Sequence, residues 1–297
     1  MSTTALIAYR EGTYSMLETC LASIARHTDM NDLELFILQD DKQQNDIQGL
    51  LEKYNCKYLR FPITDYRSGS AIHGALLNQA YSLASSEYLL SLDSDAFPIS
   101  DNWLNVLIGK LENGATVSGI LHPWQPIPSN VLKGNIDRRI RSKHCWLNTH
   151  VACQITKTSF IKDNKIDYCK EDDTGFMVPL LARQKGLKVE GLMPSKCGYV
   201  NKDIIFDLEL NRHVCVIYGD LIYHHGGASQ AINGYALDKD DMFSEVRKKV
   251  IESLGAEFLL QDAYSYKFDK EEEVADFKMQ IMHQEMLEYL KTHESLF

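Results

Sequence analysis

The chain has 297 residues, 44% of them hydrophobic and 24% charged, with a formal net charge of −10. That length supports a sizeable core, that balance excludes wholesale disorder, and that charge argues against nucleic acid or an anionic membrane surface as a partner. Seven scattered cysteines without a Cys-x-x-Cys, no apolar run of spanning length, and a start at Met1-Ser-Thr-Thr-Ala without a basic or long apolar segment set the expectation of a reduced, cytoplasmic protein with no membrane span.

The first half alternates strand and helix signals. Thr4-Ala-Leu-Ile-Ala-Tyr9 reads as a short strand, with a turn at Arg10-Glu-Gly12 behind it. Met16, Leu17, Cys20, Leu21 and Ile24 then recur at helical spacing between Tyr14 and Arg26. Leu33–Leu38 is a second strand ending at Gln39-Asp-Asp41, and a polar helix near 46–54 leads to a third strand, Lys57–Phe61, stopped by Pro62. Gly69-Ser-Ala-Ile-His-Gly opens the next helix, which returns to the strand before Asp93. Such β-α-β alternation predicts a mostly parallel sheet flanked by helices, with ligands gathered at the carboxyl ends of its strands.

Tyr88-Leu-Leu-Ser-Leu-Asp-Ser-Asp-Ala-Phe97 is the most informative stretch. It reads as a buried strand running into Asp93 and Asp95, with a turn at Pro98 behind them. Residues two apart on an extended chain point the same way, so both carboxylates can aim at one bound object. Paired hard carboxylates at the exit of a core strand suit a divalent cation and the phosphates that accompany it. The three-residue pattern by itself also fits a solvated acidic turn, and its place at a strand exit favours the site.

A helix starts near Asp101-Asn-Trp103, and a strand at 115–121 runs into His122-Pro-Trp-Gln-Pro-Ile-Pro128. Lys133, Arg138, Arg139, Arg141 and Lys143 form a basic island that suits a solvated helix face or an anionic acceptor. Glu171-Asp-Asp-Thr-Gly175 precedes a helix, 176–185, that ends at Gly186 as a C-cap does. Asp172 and Asp173 there fit either acids at a helix N-terminus or a catalytic carboxylate. Leu221-Ile-Tyr-His-His-Gly-Gly-Ala-Ser229 is a strand breaking into a Gly-rich turn, with His224 and His225 as core, turn or ligand histidines. Trp124 and Trp146 fit the core or an exposed stacking platform. From about 240 the pattern is helical, and the stripe of Val274, Phe277 and Ile281 suits packing on the core or on a second subunit, which makes a homodimer one use of it.

The order of these features resembles the GT-A glycosyltransferases, and within them the family-2-type enzymes that use nucleotide sugars. The likeness rests on a strand with a polar exit, a second strand ending in Asp, a Gly-Ser…Asn helix and a Leu-Asp-Ser-Asp turn. A Glu-Asp-Asp segment before a helix and a late His-x-Gly-Gly-Ala-Ser complete it, over residues 3–230. The resemblance implies an α/β GT-A fold, a mostly parallel central sheet flanked by helices, with a helical C-terminal extension. Residues 1–115 would form the nucleotide-sugar-binding half, 116–235 the acceptor-binding and catalytic half, and 236–297 the extension. Tyr9, Arg10, Glu11, Asp40, Asp41, Gly69, Asp93 and Ser94 would line the donor. Asp95, with Asp93 and His224, would hold Mn²⁺ or Mg²⁺, and one imidazole favours Mn²⁺. Asp173, with Asp172 second and Glu171 adjacent, would be the catalytic base.

The implied activity is metal-dependent, inverting transfer from a nucleoside diphosphate sugar, a UDP-sugar first, to a saccharide or other hydroxyl acceptor such as a bacterial surface glycan. A sugar nucleotidyltransferase is the alternative enzyme, but Tyr9-Arg-Glu-Gly-Thr13 is too poor in glycine for its phosphate loop. A silent nucleotide- or glycan-binding module would have no need of the Glu-Asp-Asp run.

Overall fold

The computed structural model describes residues 2–11, 13–44, 47–64, 69–121, 149–169, 174–192, 194–198 and 215–224. Strand β1 (Thr3–Ala8), helix α1 (Tyr14–His27), strand β2 (Leu33–Asp40), helix α2 (Gln48–Lys53), strand β3 (Lys57–Phe61), helix α3 (Gly69–Ala80) and strand β4 (Tyr88–Asp93) follow one another in the expected order. The chain continues through β5 (Ala96–Pro98), α4 (Trp103–Glu112), β6 (Ala115–Leu121), β7 (Thr149–Lys157), α5 (Thr158–Asn164), α6 (Met177–Gln184), β8 (Lys188–Val189), β9 (Pro194–Gly198), β10 (Cys215–Tyr218) and β11 (Ile222–His224).

Seven strands form the central sheet in the order β3-β2-β1-β4-β7-β6-β8. The pairings from β3 to β4 and of β6 with β8 are parallel, while β7 runs antiparallel to both its neighbours. Side-chain alternation builds a core on each face. Ala5, Ile7, Leu35, Ile37, Leu90 and Leu92 pack to one side with Leu17 and Leu21 of α1 and Leu104 and Leu107 of α4. Leu6, Phe36, Leu38 and Leu89 pack to the other with Leu76 and Leu77 of α3, Ile161 of α5 and Val178 of α6. Each such buried aliphatic side chain contributes roughly 1.5–3 kcal/mol of transfer free energy. The result is the three-layer α/β arrangement the alternation predicts.

Several local readings are corrected. Tyr9 lies one residue past β1, whose ladder ends at Ala8. The turn behind Asp93 falls on Ser94–Asp95 and not at Pro98, because Ala96–Pro98 is itself a strand, pairing antiparallel with β11. Strand β7 and helix α5 were not expected from the sequence. A second, four-stranded sheet, β5-β11-β10-β9, was not expected either. The turn Ser94–Asp95 therefore joins two sheets. The predicted helix over 176–185 begins at Met177, and no acid lies in its first turn. Its C-terminus ends as expected: Gly186 adopts φ +69°, and Leu187 N–H donates to Ala182 C=O at 2.8 Å. Glu171, Asp172, Asp173, His225, Trp124, Trp146, the 133–143 island and residues 236–297 lie outside the described residues. Among the described residues, no helix is long and apolar enough to cross a membrane.

Candidate active site

Parallel register fixes which residues share an edge. Ala8 is level with both Leu38 and Asp93, so the exits of β1, β2 and β4 open side by side. Tyr9, Arg10, Glu11, Asp40, Asp41 and Asp93 all lie along that edge, as the sequence led us to expect. Gly69, at the start of α3, joins them: a Cβ there would stand 4.0 Å from Arg10 Nη1. Arg10 thus lies against a helix N-terminus, where a cation and backbone N–H groups face the same space. Tyr9 is buried, and desolvation, followed by the charges of Tyr58, Glu11 and Tyr14, pushes its phenol up to about 12.

The acids at the exit of β2 divide. Asp40 is buried, and its Oδ1 accepts from Lys42 N–H at 3.1 Å, an Asx turn that fixes the strand exit. Asp41 is exposed; its own N–H donates to Phe61 C=O at 3.0 Å, and its C=O accepts from Arg60. Glu11 N–H donates to Gln43 Oε1 at 3.0 Å, tying the exits of β1 and β2 together.

The other group of residues comes from four directions. Asp93 ends β4, and its Oδ1 lies 3.5 Å from Nε2 of His73 on α3. Asp95 sits in the buried turn with Ser94, and its Oδ1 lies 3.8 Å from Nε2 of His224. His224 is brought there by sheet pairing, since it is level with Ala96 on β5. Strand β7 supplies His150. Its ladder with β4 stops at Leu92 opposite Cys153, and beyond that point one chain runs on to Asp93–Asp95 while the other reaches back to His150. Asp93, His150 and His224 each place one ligand atom within 4.8 Å of the others, and the two imidazoles are 5.7 Å apart, inclined at 36°.

His150 retains some exposed surface, yet desolvation, with His224 second, pushes its imidazole down to about 4 against the pull of Asp93 and Asp95. Cys20 and Cys153, both buried, are held as thiols first by burial, with Asp95 the next cause at Cys20 and Asp93 at Cys153. The donor set of two carboxylates and histidine nitrogen fits a divalent ion that accepts mixed oxygen and nitrogen ligands, Mn²⁺ better than Mg²⁺.

His73 and His150 are the residues that sequence reading missed. His73 had one available signal, its place one helical turn after Gly69. His150 opens the strand-like run Thr149-His-Val-Ala-Cys-Gln-Ile155, and nothing in that run says which edge it reaches. A further clasp involves Asn78, whose Nδ2 donates to Asp167 Oδ1 at 2.6 Å while its Oδ1 accepts from Tyr168 N–H at 2.8 Å. Gly175 N–H donates to Tyr168 C=O at 3.2 Å, drawing together the chain on either side of residues 170–173. Gly74 allows the approach, since a Cβ there would stand 2.8 Å from Cys169 Sγ.

The sequence matches the family model described as Glycosyl transferase family 2 over residues 3–161, just over half of the chain, which takes in β1 to β7 with Asp93, Asp95 and His150. The chain belongs to glycosyl transferase family 2. It is a glycosyltransferase with a GT-A-like α/β fold, and the nucleotidyltransferase alternative is set aside. Among solved structures it is similar to S. aureus TarS 1-349 (TM-score 0.45, 15% identity, 95% of this chain and 80% of that one). It is also similar to the mannosyltransferase PcManGT from Pyrobaculum calidifontis in complex with GDP-Man and Mn²⁺ (TM-score 0.45, 13% identity, 99% and 84%). Glucosyl-3-phosphoglycerate synthase from Mycobacterium tuberculosis is a third (TM-score 0.45, 13% identity, 65% and 70%). No curated protein sequence matches the chain.

Proposed function

We propose that this family-2 glycosyltransferase moves a sugar from a nucleoside diphosphate sugar, a UDP-sugar first, to a hydroxyl of a saccharide acceptor, with inversion and with the help of a divalent cation. The observation that supports this reading most is the meeting of Asp93 and Asp95 with His224 across two sheets, beside the strand exits of Tyr9, Arg10 and Asp41. Asp95 and His224 would hold the cation, Mn²⁺ or Mg²⁺, which when bound stabilises negative charge on a leaving diphosphate as a Lewis acid.

The chain's own residues do the rest. Arg10 and the N-terminus of α3 present positive charge and N–H groups to phosphate, and Asp93 faces the ribose side of the same space. We assign the base to Asp173, with Asp172 second. Its carboxylate takes the proton of the acceptor hydroxyl as that oxygen bonds to the anomeric carbon and the bond from that carbon to the diphosphate oxygen breaks. One displacement from the opposite face inverts the centre. On this reading residues 1–115 serve the donor and 116–235 the acceptor and base, and the acceptor is of the kind found in bacterial surface glycans.

A thermal-shift screen against UDP, GDP, CMP and dTDP, each with Mn²⁺ and with chelator, tests the donor site. A ligand present at about a hundred times its Kd stabilises the native state by about 2.7 kcal/mol. The expected result is a rise in Tm with UDP that requires Mn²⁺. No rise with any nucleotide would sink the nucleotide-donor reading.

A further inference from the structure

His150 belongs neither to the Asp-Ser-Asp turn nor to the late histidine run, yet it places a possible ligand atom within 4.8 Å of those of both Asp93 and His224. Counting it as a third cation ligand is the obvious step, and one hydrogen bond argues against it. Ala152 N–H donates to His150 Nδ1 at 3.1 Å. A backbone amide can only donate, so Nδ1 carries a lone pair, and in that tautomer the ring proton sits on Nε2. A histidine that ligates through Nε2 has the opposite arrangement, with Nδ1–H donating outward to a carbonyl or carboxylate.

We propose that His150 is a positioning residue that donates Nε2–H to the Asp93 carboxylate, and that the cation is held by Asp95 and His224 without it. His73 approaches the same carboxylate from α3, at 3.5 Å, so Asp93 is flanked by imidazoles from a helix and a strand. Their contacts close to full hydrogen-bond length as the site fills, a common behaviour of active-site groups. A carboxylate fixed in this way keeps one rotamer, and that spares donor binding the cost of ordering it. The role rests on the cation-assisted reading above; the tautomer does not.

The test is long-range ¹H–¹⁵N correlation on the full chain labelled at histidine, first metal-free and then titrated with Zn²⁺ as a diamagnetic stand-in for Mn²⁺. His150 is assigned by its loss from the His150→Gln spectrum. The expected result is a protonated Nε2 with a bare Nδ1 for His150, unchanged by metal, while the nitrogens of His224 move. A protonated Nδ1, or metal-induced movement of His150 Nε2, overturns the proposal and leaves the cation site standing. A titration that moves neither histidine overturns the cation site itself. In parallel, His150→Gln, which keeps an amide donor, should lower kcat about 10-fold, and His150→Leu about 100-fold, both with Mn²⁺ affinity within about 3-fold of the parent. A tenfold or greater loss of Mn²⁺ affinity in both variants would make His150 a ligand. If His150→Leu does not fold, the spectrum of the parent protein decides alone.

Discussion

Strands β3, β2, β1 and β4 run in one direction and β7 runs in the other, and the site draws on both. The parallel strands deliver residues from their carboxyl ends: Tyr9 and Arg10 after β1, Asp41 after β2, Asp93 and Asp95 at and after β4. Antiparallel β7 delivers to the same edge from its beginning, and so it contributes His150, the second residue of a nine-residue strand. The second sheet adds His224 through an antiparallel pairing with β5. The parallel strands thus supply acids at their carboxyl ends by a rule that holds for every parallel α/β sheet, with His73 added from α3, while β7 and the second sheet add two more imidazoles by pairings particular to this chain. The lesson is that a mixed sheet brings two chemical inventories to one edge because reversing a strand exchanges which of its ends faces the ligand.

The sharpest way to test that division is to remove a group from each side of it. Asp95→Ala, on the acid side, should cost about 10³-fold in transfer and abolish Mn²⁺-dependent nucleotide binding, measured by steady-state kinetics and calorimetry. His224→Ala should approach it, if the two groups act on one ion. Unchanged metal affinity in either variant would separate that residue from the ion.

Next in size is the seam between β6 and β7. Gly119 has φ +154°, and a Cβ there would stand 2.1 Å from Cys153 C=O, backbone that cannot move aside without breaking the ladder. Gly119→Ala should therefore lose about 3 kcal/mol or more in urea unfolding. In the parallel half, Leu90→Ala should cost about 2–5 kcal/mol by opening a cavity beside β1. If Gly119→Ala were the milder of the two, the close fit of the antiparallel insert would not be what holds His150 in place.

His73→Ala, which takes one imidazole from Asp93 without touching the second sheet, should lower kcat about 10-fold and leave the unfolding midpoint nearly unchanged. The smallest effect belongs to the exposed pair of Lys57 and Glu34 on the far strands β3 and β2. Lys57→Ala should change stability by at most about 1 kcal/mol and activity not at all. A measurable loss of transfer there would mean that the donor edge extends further along the sheet than Arg60 and Asp41.

Much of the parallel half was legible from residue types. Leu33–Leu38, Lys57–Phe61 and Ala115–Leu121 are strands where their apolar runs, the second of them stopped by Pro62, placed them, and α1 begins at Tyr14 as its helical spacing requires. Asp93 and Asp95 announced themselves at the end of an apolar run, yet the geometry offered for them was wrong. They do not share an extended chain, because Ser94–Asp95 is the turn by which the chain leaves one sheet for the other. Strand β7 was passed over although Val151, Cys153 and Ile155 are apolar, because Ala152 is apolar too: a strand buried on both faces loses its alternation. His150 gave no local signal, and His73 gave only its place one turn into α3, since each becomes chemical through a neighbour that the fold brings to it.

The sequence by itself determined the βαβ half, a mostly parallel sheet flanked by helices, and the placing of polar residues at its carboxyl edge, because hydrophobic period and turn chemistry are local. Only the tertiary structure decided that β7 enters antiparallel beside β4, that β5 pairs with β11, and that His150 and His224 therefore join His73 around Asp93 and Asp95. Those contacts join residues dozens of positions apart, and their energy comes from packing and ladder hydrogen bonds that exist only once the whole sheet has closed.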